Sequence, residues 1–327
     1  MQQPHDGLFA LAHGWIAPRC LHVIAELGVA DHIGEQPISV EKLASACGAN
    51  AEALERMLRL LAAHGVFAAQ VGAWVHTPSS RLLCAEHPLS MRPFVRLLNQ
   101  PIYHKASSAL EHSVRTGAPA VETFEPRGGW AYLSDHPEEA EIFNQAMTAK
   151  AAGDTSAVLN AYDFTRFTTI ADIGAGRGHL LRAVLDAAPT ARGVLFDLPD
   201  VIAAADVEHP RLTAQAGDFF SDSLPAADAY ILMEVLHDWS DRDAIEILSA
   251  VRTAARADAT LLVIEGLLPD EGTDPVALSM DVMMLFMLGG RERNPSQFRG
   301  LFNEAGFKLK RVVDTGTRMR IVEATAS

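Results

Sequence analysis

The stretch Thr168-Thr-Ile-Ala-Asp172-Ile-Gly174-Ala-Gly176-Arg-Gly178-His-Leu-Leu decides how this chain is read. A short apolar run over 168–173 has the length of a buried strand. Glycines at alternate positions follow it, and a helical pattern resumes over 179–188. Glycine at such a turn lets the backbone bend into the next helix and come close to a ligand. The same texture repeats downstream. A run at 193–196 precedes Asp197 and a helix from about Asp200, and the run at 212–216 precedes Gly217-Asp218. The run at 230–236 leads to His237-Asp238-Trp239 and a helix over 242–256, and the run at 261–264 leads to Glu265. Helices over 276–288 and 296–305 come next, then two strands near 308–313 and 320–324 separated by Asp314-Thr-Gly-Thr. Strands alternating with helices predict an α/β fold. The sheet is mostly parallel and seven-stranded, with helices on both faces and an antiparallel hairpin at its C-terminal end.

In an open parallel sheet, ligands sit outside the carboxyl ends of the strands. Here every one of the parallel strands ends at an ionisable group: Asp172, Asp197, Asp218, the His237-Asp238 pair and Glu265. The glycine spacing is G-x-G-x-G, one residue tighter than the dinucleotide fingerprint. With Asp172 just before the loop, a cationic or amine-bearing ligand is expected rather than a pyrophosphate. Asp197 offers two acceptor oxygens, enough for both hydroxyls of a ribose. Together with Asp172 and Asp218, it points to a nucleoside-containing ligand.

Outward from this segment, residues 8–162 are mostly helical in pattern. Leu54, Met57, Leu58, Leu61 and Ala62 mark one apolar face of a helix that ends at Gly65. Ser39 is placed to cap a shorter helix before it. Val66-Phe-Ala-Ala-Gln and Ala73-Trp-Val-His flank Gly72 as a small hairpin. Helix, turn, helix and a two-stranded wing outline a winged helix. A DNA-reading helix presents Arg, Lys, Asn or Gln to base edges. Residues 51–63 offer Glu52, Glu55, Arg56 and Arg59, a nearly neutral face, so packing or dimerisation is expected instead. Residues 8–28 are apolar on most sides, as for a helix buried against another subunit or domain. The expected division is a winged-helix-like dimerisation domain at 1–100, a helical linking segment at 101–164 that covers a pocket, and the ligand-binding domain at 165–327.

A length of 327 residues suits two cores rather than one. Lys and Arg number 27 against 41 Asp and Glu, and a net charge of −14 argues against nucleic acid as a partner. The N-terminus lacks a basic start before a long apolar stretch, and apolar runs such as 282–288 fall short of the roughly 18 residues that span a bilayer. Neither a secretory signal nor a membrane partner is expected. Cys20, Cys47 and Cys84 are odd in number, widely spaced and form no C-x-x-C pair, which fits a reduced cytoplasm.

The segment from Thr168 onward resembles class I S-adenosylmethionine-dependent methyltransferases. The motifs that carry the likeness are Asp172-Ile-Gly-Ala-Gly-Arg-Gly-His, Phe196-Asp-Leu-Pro-Asp-Val-Ile, Gly217-Asp-Phe-Phe, Leu236-His-Asp-Trp-Ser-Asp and Gly289-Gly-Arg-Glu-Arg. The whole chain is similar to the small-molecule O-methyltransferases typified by plant caffeic acid O-methyltransferase and bacterial antibiotic-tailoring enzymes. That resemblance implies a Rossmann-like sheet, a homodimer formed through the N-terminal domain, and no metal. It places the methionine part of S-adenosylmethionine at Asp172, Gly174, Gly176 and Gly178 and the ribose at Asp197. The adenine falls between Asp218 and Phe219, with Leu198 and Met233 as further contacts. It also implies a catalytic-site glutamate at Glu292 and an acceptor pocket lined by Phe143, Met147, Met284 and Met287.

The chemistry follows from the donor, whose sulfonium-bound methyl is already electrophilic. What remains is alignment and removal of a proton from the acceptor. A phenol of pKa about 10 needs a base at neutral pH, and an imidazole at the end of a strand beside the cofactor strands is placed for it. His237 is therefore the expected general base. Glu265 and Glu292 are expected to hold its second ring nitrogen, with Asp238 a further neighbour. The aromatic acceptor itself is not specified. Methyl transfer to nitrogen or carbon on the same scaffold is the nearest alternative, and a winged-helix regulator that senses S-adenosylmethionine is the rival from another class.

Overall fold

The computed structural model describes residues 3–205, 207–269 and 274–327. Two compact units divide the chain: one takes it up to Tyr103 together with Pro137–Lys150, the other holds His104–His136 and Ala151–Ser327.

In the first unit the predicted helix–turn–helix and wing are present. Ser39 caps the helix Val40–Cys47, accepting from the Lys42 amide, and Asn50 caps Ala51–Ala63 in the same way. Strands β1 (Phe67–Gln70) and β2 (Ala73–His76) pair antiparallel as the wing. Leu54, Leu58 and Leu61 turn inward as their spacing requires and bury against Ile24, Leu43, Phe67 and Trp74. The expected continuous N-terminal helix is instead two, Pro4–His13 and Ile16–Glu26. Leu8, Leu11 and Trp15 stay 71%, 78% and 67% exposed, so this apolar face finds no cover within its own unit. By length and composition alone, Pro4–Glu26 is apolar enough to cross a membrane.

The second unit is built on the predicted seven-stranded sheet. Its strands are β3 (Thr169–Ile173), β4 (Arg192–Asp197), β5 (Leu212–Ala216), β6 (Ala229–Met233), β7 (Thr260–Gly266), β8 (Phe307–Asp314) and β9 (Met319–Ala326). They lie in the order β5-β4-β3-β6-β7-β9-β8. β3 to β7 are parallel, while β9 runs antiparallel to both β7 and β8. The central strands β3, β6 and β7 are covered on both faces and read as mostly apolar runs, whereas the edge strands β5 and β8 are largely exposed. Tyr230 and Leu232 enter the core with Ile247, Leu248 and Phe298, while Ile231 enters the core with Leu181, Val184 and Leu262. Burying each such side chain contributes roughly 1.5–3 kcal/mol.

The chain runs outward through β4 and β5 and returns to β6 on the other side of β3. The strand order reverses there, opening a crevice at the carboxyl ends of β3 and β6. One boundary differs from the sequence reading. β6 stops at Met233, not 236, because Glu234 takes a left-handed backbone (φ +53°) that leaves the ladder. Leu236–Asp238 then form a single 3-10 turn.

Candidate active site

The glycine loop lies at the mouth of that crevice, and its three glycines do different things. A Cβ on Gly174 would come within 2.7 Å of Val235, and one on Gly178 within 2.7 Å of Leu195, so both positions are closed by the fold itself. Gly176 has nothing within 4 Å of such a Cβ, leaving open space where a ligand can lie along the backbone. The Gly176 amide donates to Asp197 Oδ2 at 2.8 Å, and the Leu198 amide donates to Asp197 Oδ1 at 2.7 Å. Asp197 is thus oriented at the end of β4 by two amides, with lone pairs to spare.

Asp172 is buried in β3, and burial, reinforced by the nearby Asp197 carboxylate, pushes its pKa up to about 7. Burial likewise raises Asp197, against the two amides that lower it. A buried and a half-buried carboxylate beside an open backbone fit a cationic ligand group, which would relieve the penalty of ionising them. Asp218 lies beyond β5 and accepts from the Phe220 amide at 2.9 Å. Phe219 packs edge-on against Phe220 and Trp239, with ring centroids 4.8 and 5.7 Å away. Leu198 is exposed beside Asp197, and Met233 is half-buried at the end of β6.

On the other side of the crevice stands the Leu236–Asp238 turn. His237 is buried, and its Nδ1 donates to Glu292 Oε1 at 2.9 Å. Its Nε2 lies 3.4 Å from Asp238 Oδ1. Glu265, fully buried in β7, does not take the ring nitrogen; it accepts from the His237 backbone amide at 3.1 Å. Burial alone would lower the pKa of His237. Asp238, the Glu292 hydrogen bond and Glu265 outweigh it and push the ring up to about 9. Burial raises Glu265 to about 7, with Glu292 adding to the rise and His237 opposing it. Glu265 Oε2 and Glu292 Oε2 are buried without a hydrogen-bond partner.

An O-methyltransferase domain model matches residues 108–308, and an O-methyltransferase dimerisation domain model matches residues 9–86. The chain belongs to the O-methyltransferase family. It is 39% identical to the phenazine O-methyltransferase PhzM of Lysobacter antibioticus, covering 97% of this chain and 95% of that one. It is 36% identical to the mitomycin biosynthesis 6-O-methyltransferase of Streptomyces lavendulae, over 96% and 92% of the two chains. Among solved structures it resembles the neocarzinostatin O-methyltransferase NcsB1, solved with S-adenosylmethionine and 2-hydroxy-5-methyl naphthoic acid. The TM-score is 0.79 at 31% identity, with 95% and 96% of the chains covered.

In this O-methyltransferase the helix Pro275–Met287 is capped by Asp274 and ends before Gly289. Met284 and Met287 are its buried residues. Phe143 and Met147 stand half-buried on the helix Pro137–Ala161, in the part that groups with the N-terminal unit. Among the described residues, no cluster of three or more His, Cys, Asp or Glu side chains could hold a metal ion. Asp241, a conceivable ligand beside His237 and Asp238, instead accepts from Arg293. Residues that the sequence reading missed hold the site together. The Asp281 carboxylate accepts from the Glu292 amide at 2.9 Å, and Arg318 pairs with Glu234 at 2.6 Å. Arg293 lies inside the quoted Gly-Gly-x-Glu-Arg motif, and its burial was the unread signal.

Proposed function

We propose that this O-methyltransferase moves a methyl group from S-adenosylmethionine to a hydroxyl of a planar aromatic small molecule of the secondary-metabolite type. His237 serves as the general base. The observation that carries this reading is the buried His237–Glu292 pair at 2.9 Å, set across the switch-point crevice from the open backbone at Gly176. The fused rings named in the relatives support the acceptor class.

Asp172, the open Gly176 backbone and Asp197 would hold the donor, the first answering its ammonium and the last its ribose. Asp218, Phe219, Leu198 and Met233 would surround the remaining nucleoside. Bound there, S-adenosylmethionine supplies a methyl carbon made electrophilic by the positive sulfur. His237 supplies the proton acceptor. A ring raised to about 9 nearly matches a phenol near 10 in proton affinity, but it is mostly protonated at neutral pH, so only its neutral fraction takes the proton and turnover rises toward pH 9. Glu292 fixes the ring and its tautomer, Asp238 adds charge beside Nε2, and Glu265 fixes the backbone that carries the ring. Met284 and Met287, buried on their helix, would present apolar surface to the acceptor.

The reading also divides the chain functionally at 1–100, 101–164 and 165–327. The uncovered Leu8, Leu11 and Trp15 pair with a second copy, supported by the dimerisation-domain match at residues 9–86. A cytoplasmic location is supported by three free cysteines. Incubation with isotope-labelled donor and a panel of phenols, naphthols, quinones and phenazines tests the reaction. Label recovered only on oxygen sustains it; label on ring nitrogen or carbon replaces it. Sedimentation of a monomer at working concentration removes the dimer.

A further inference from the structure

The turn that carries His237 is gripped by one buried guanidinium. Arg293 is fully buried, the largest such side chain among the described residues. Its Nη1 donates to the Leu236 carbonyl at 2.7 Å, its Nη2 to the Trp239 carbonyl at 2.8 Å, and its Nε to Asp241 Oδ1 at 2.9 Å. These acceptors bracket His237 on both sides. The backbone of the same segment completes the hold. The Arg291 amide donates to the His237 carbonyl at 2.8 Å. A Cβ on Gly290 would stand 2.0 Å from that carbonyl oxygen, so only glycine lets the two strands of backbone touch. The His237 amide is taken by Glu265 at 3.1 Å.

Burying a full positive charge is costly, and an apolar side chain could fill the same space more cheaply. A guanidinium offers what an apolar group does not: a planar fork that fixes several acceptors relative to one another. We infer that Arg293 is a positioning residue for proton removal, holding the His237 ring in its working place by clamping the backbone before and after it. The inference rests on His237 being the base, and it adds a residue that touches neither donor nor acceptor.

The test uses the full-length enzyme with Arg293→Lys, which keeps the charge and loses the fork, and Asp241→Asn, which loosens the fork from outside. For Arg293→Lys the expected result is a kcat lowered roughly 100-fold, as a displacement of about 1 Å at a reacting group produces, with donor Kd within about 2-fold of the parent. The His237 ring resonance should titrate at a changed pH in the same variant. Asp241→Asn should move both readouts in the same direction by about 5-fold or less. Adding Arg293→Lys to His237→Ala should cost nothing further, because residues that act as a unit are not additive. Parental kcat and titration in both variants overturn the inference, as does a further loss in the double variant. If Arg293→Lys does not fold, Asp241→Asn decides alone. Turnover surviving in His237→Ala sinks the base assignment itself, which separates that failure from this one.

Discussion

Asp172 and His237 lie near the ends of the neighbouring strands β3 and β6, and both are buried, yet their surroundings are opposite. Asp172 has another carboxylate, Asp197, as its main electrostatic neighbour, and its pKa rises to about 7. His237 is met by Glu292 on one ring nitrogen and Asp238 near the other, with its backbone bound at both N–H and C=O. One side of the crevice is left electrostatically incomplete and the other is finished before any ligand arrives. The difference teaches how labour divides in a transferase whose donor is a cation. In the proposed reading the donor would bring the missing charge to the β3 side, so that side can wait for it. His237, the proposed proton acceptor, would receive no such help and is held in place by the chain itself.

The largest effect that would break this contrast is on turnover. His237→Ala should lower kcat by roughly 10²–10⁴ while calorimetry finds donor affinity nearly unchanged. Weakened donor binding in that variant would mean the two sides are not separate. Next comes the donor side. A cation favours the ionised form of Asp172, whose folded pKa is raised. Donor affinity should therefore climb as pH rises toward about 7 and level off above it, with proton release on binding below that point. Titrations in buffers of different ionisation heat measure this. Asp172→Asn should abolish the slope and weaken binding by about 10-fold or more. Asp197→Ala should weaken it too.

Smaller again is the split between the two glutamates. Glu292→Gln removes a carboxylate from the ring, so the His237 pKa should fall below about 9 and the rising limb of the kcat–pH profile should move to lower pH. Glu265→Gln should shift that limb less, because Glu265 holds backbone and not ring. Equal shifts would erase the distinction. The smallest effect is on stability. Gly178→Ala meets both a positive φ and Leu195, and should cost about 2 kcal/mol; Gly176→Ala meets only the φ and should cost about 1 kcal/mol. Denaturant midpoints compare them.

The sheet was legible because its central strands β3, β4, β6 and β7 are short apolar runs, largely buried, and strand–helix alternation with a hairpin at the end gives the parallel and antiparallel parts, though not the strand order. The strand-end acids were legible for the same reason: they are polar residues at the ends of apolar runs. His237 and Glu292, far apart in sequence, were joined only by motif resemblance. What spacing could not carry was the orientation of particular bonds. Nothing in Leu236-His-Asp-Trp reveals that Glu234 breaks the strand early, or that Glu265 takes an amide while Glu292 takes the ring. Arg293 stood in the sequence only as the end of a motif, because its burial depends on which loops fold over it, and the partners of Asp281 and Arg318 likewise depend on the folded loops. The break between Pro4–His13 and Ile16–Glu26 escaped as well, since the apolar pattern continues across it.

Gly290 pressed against the His237–Asp238 peptide has a practical meaning for anyone recombining enzymes of this kind. The Pro275–Met287 helix, whose buried Met284 and Met287 we propose face the acceptor, invites exchange as a cassette. Its downstream junction cannot fall anywhere between 289 and 293 without splitting a pair of surfaces that fit only each other. A working chimera has to place its crossover past Arg293 and carry residues 236–241 from the same parent.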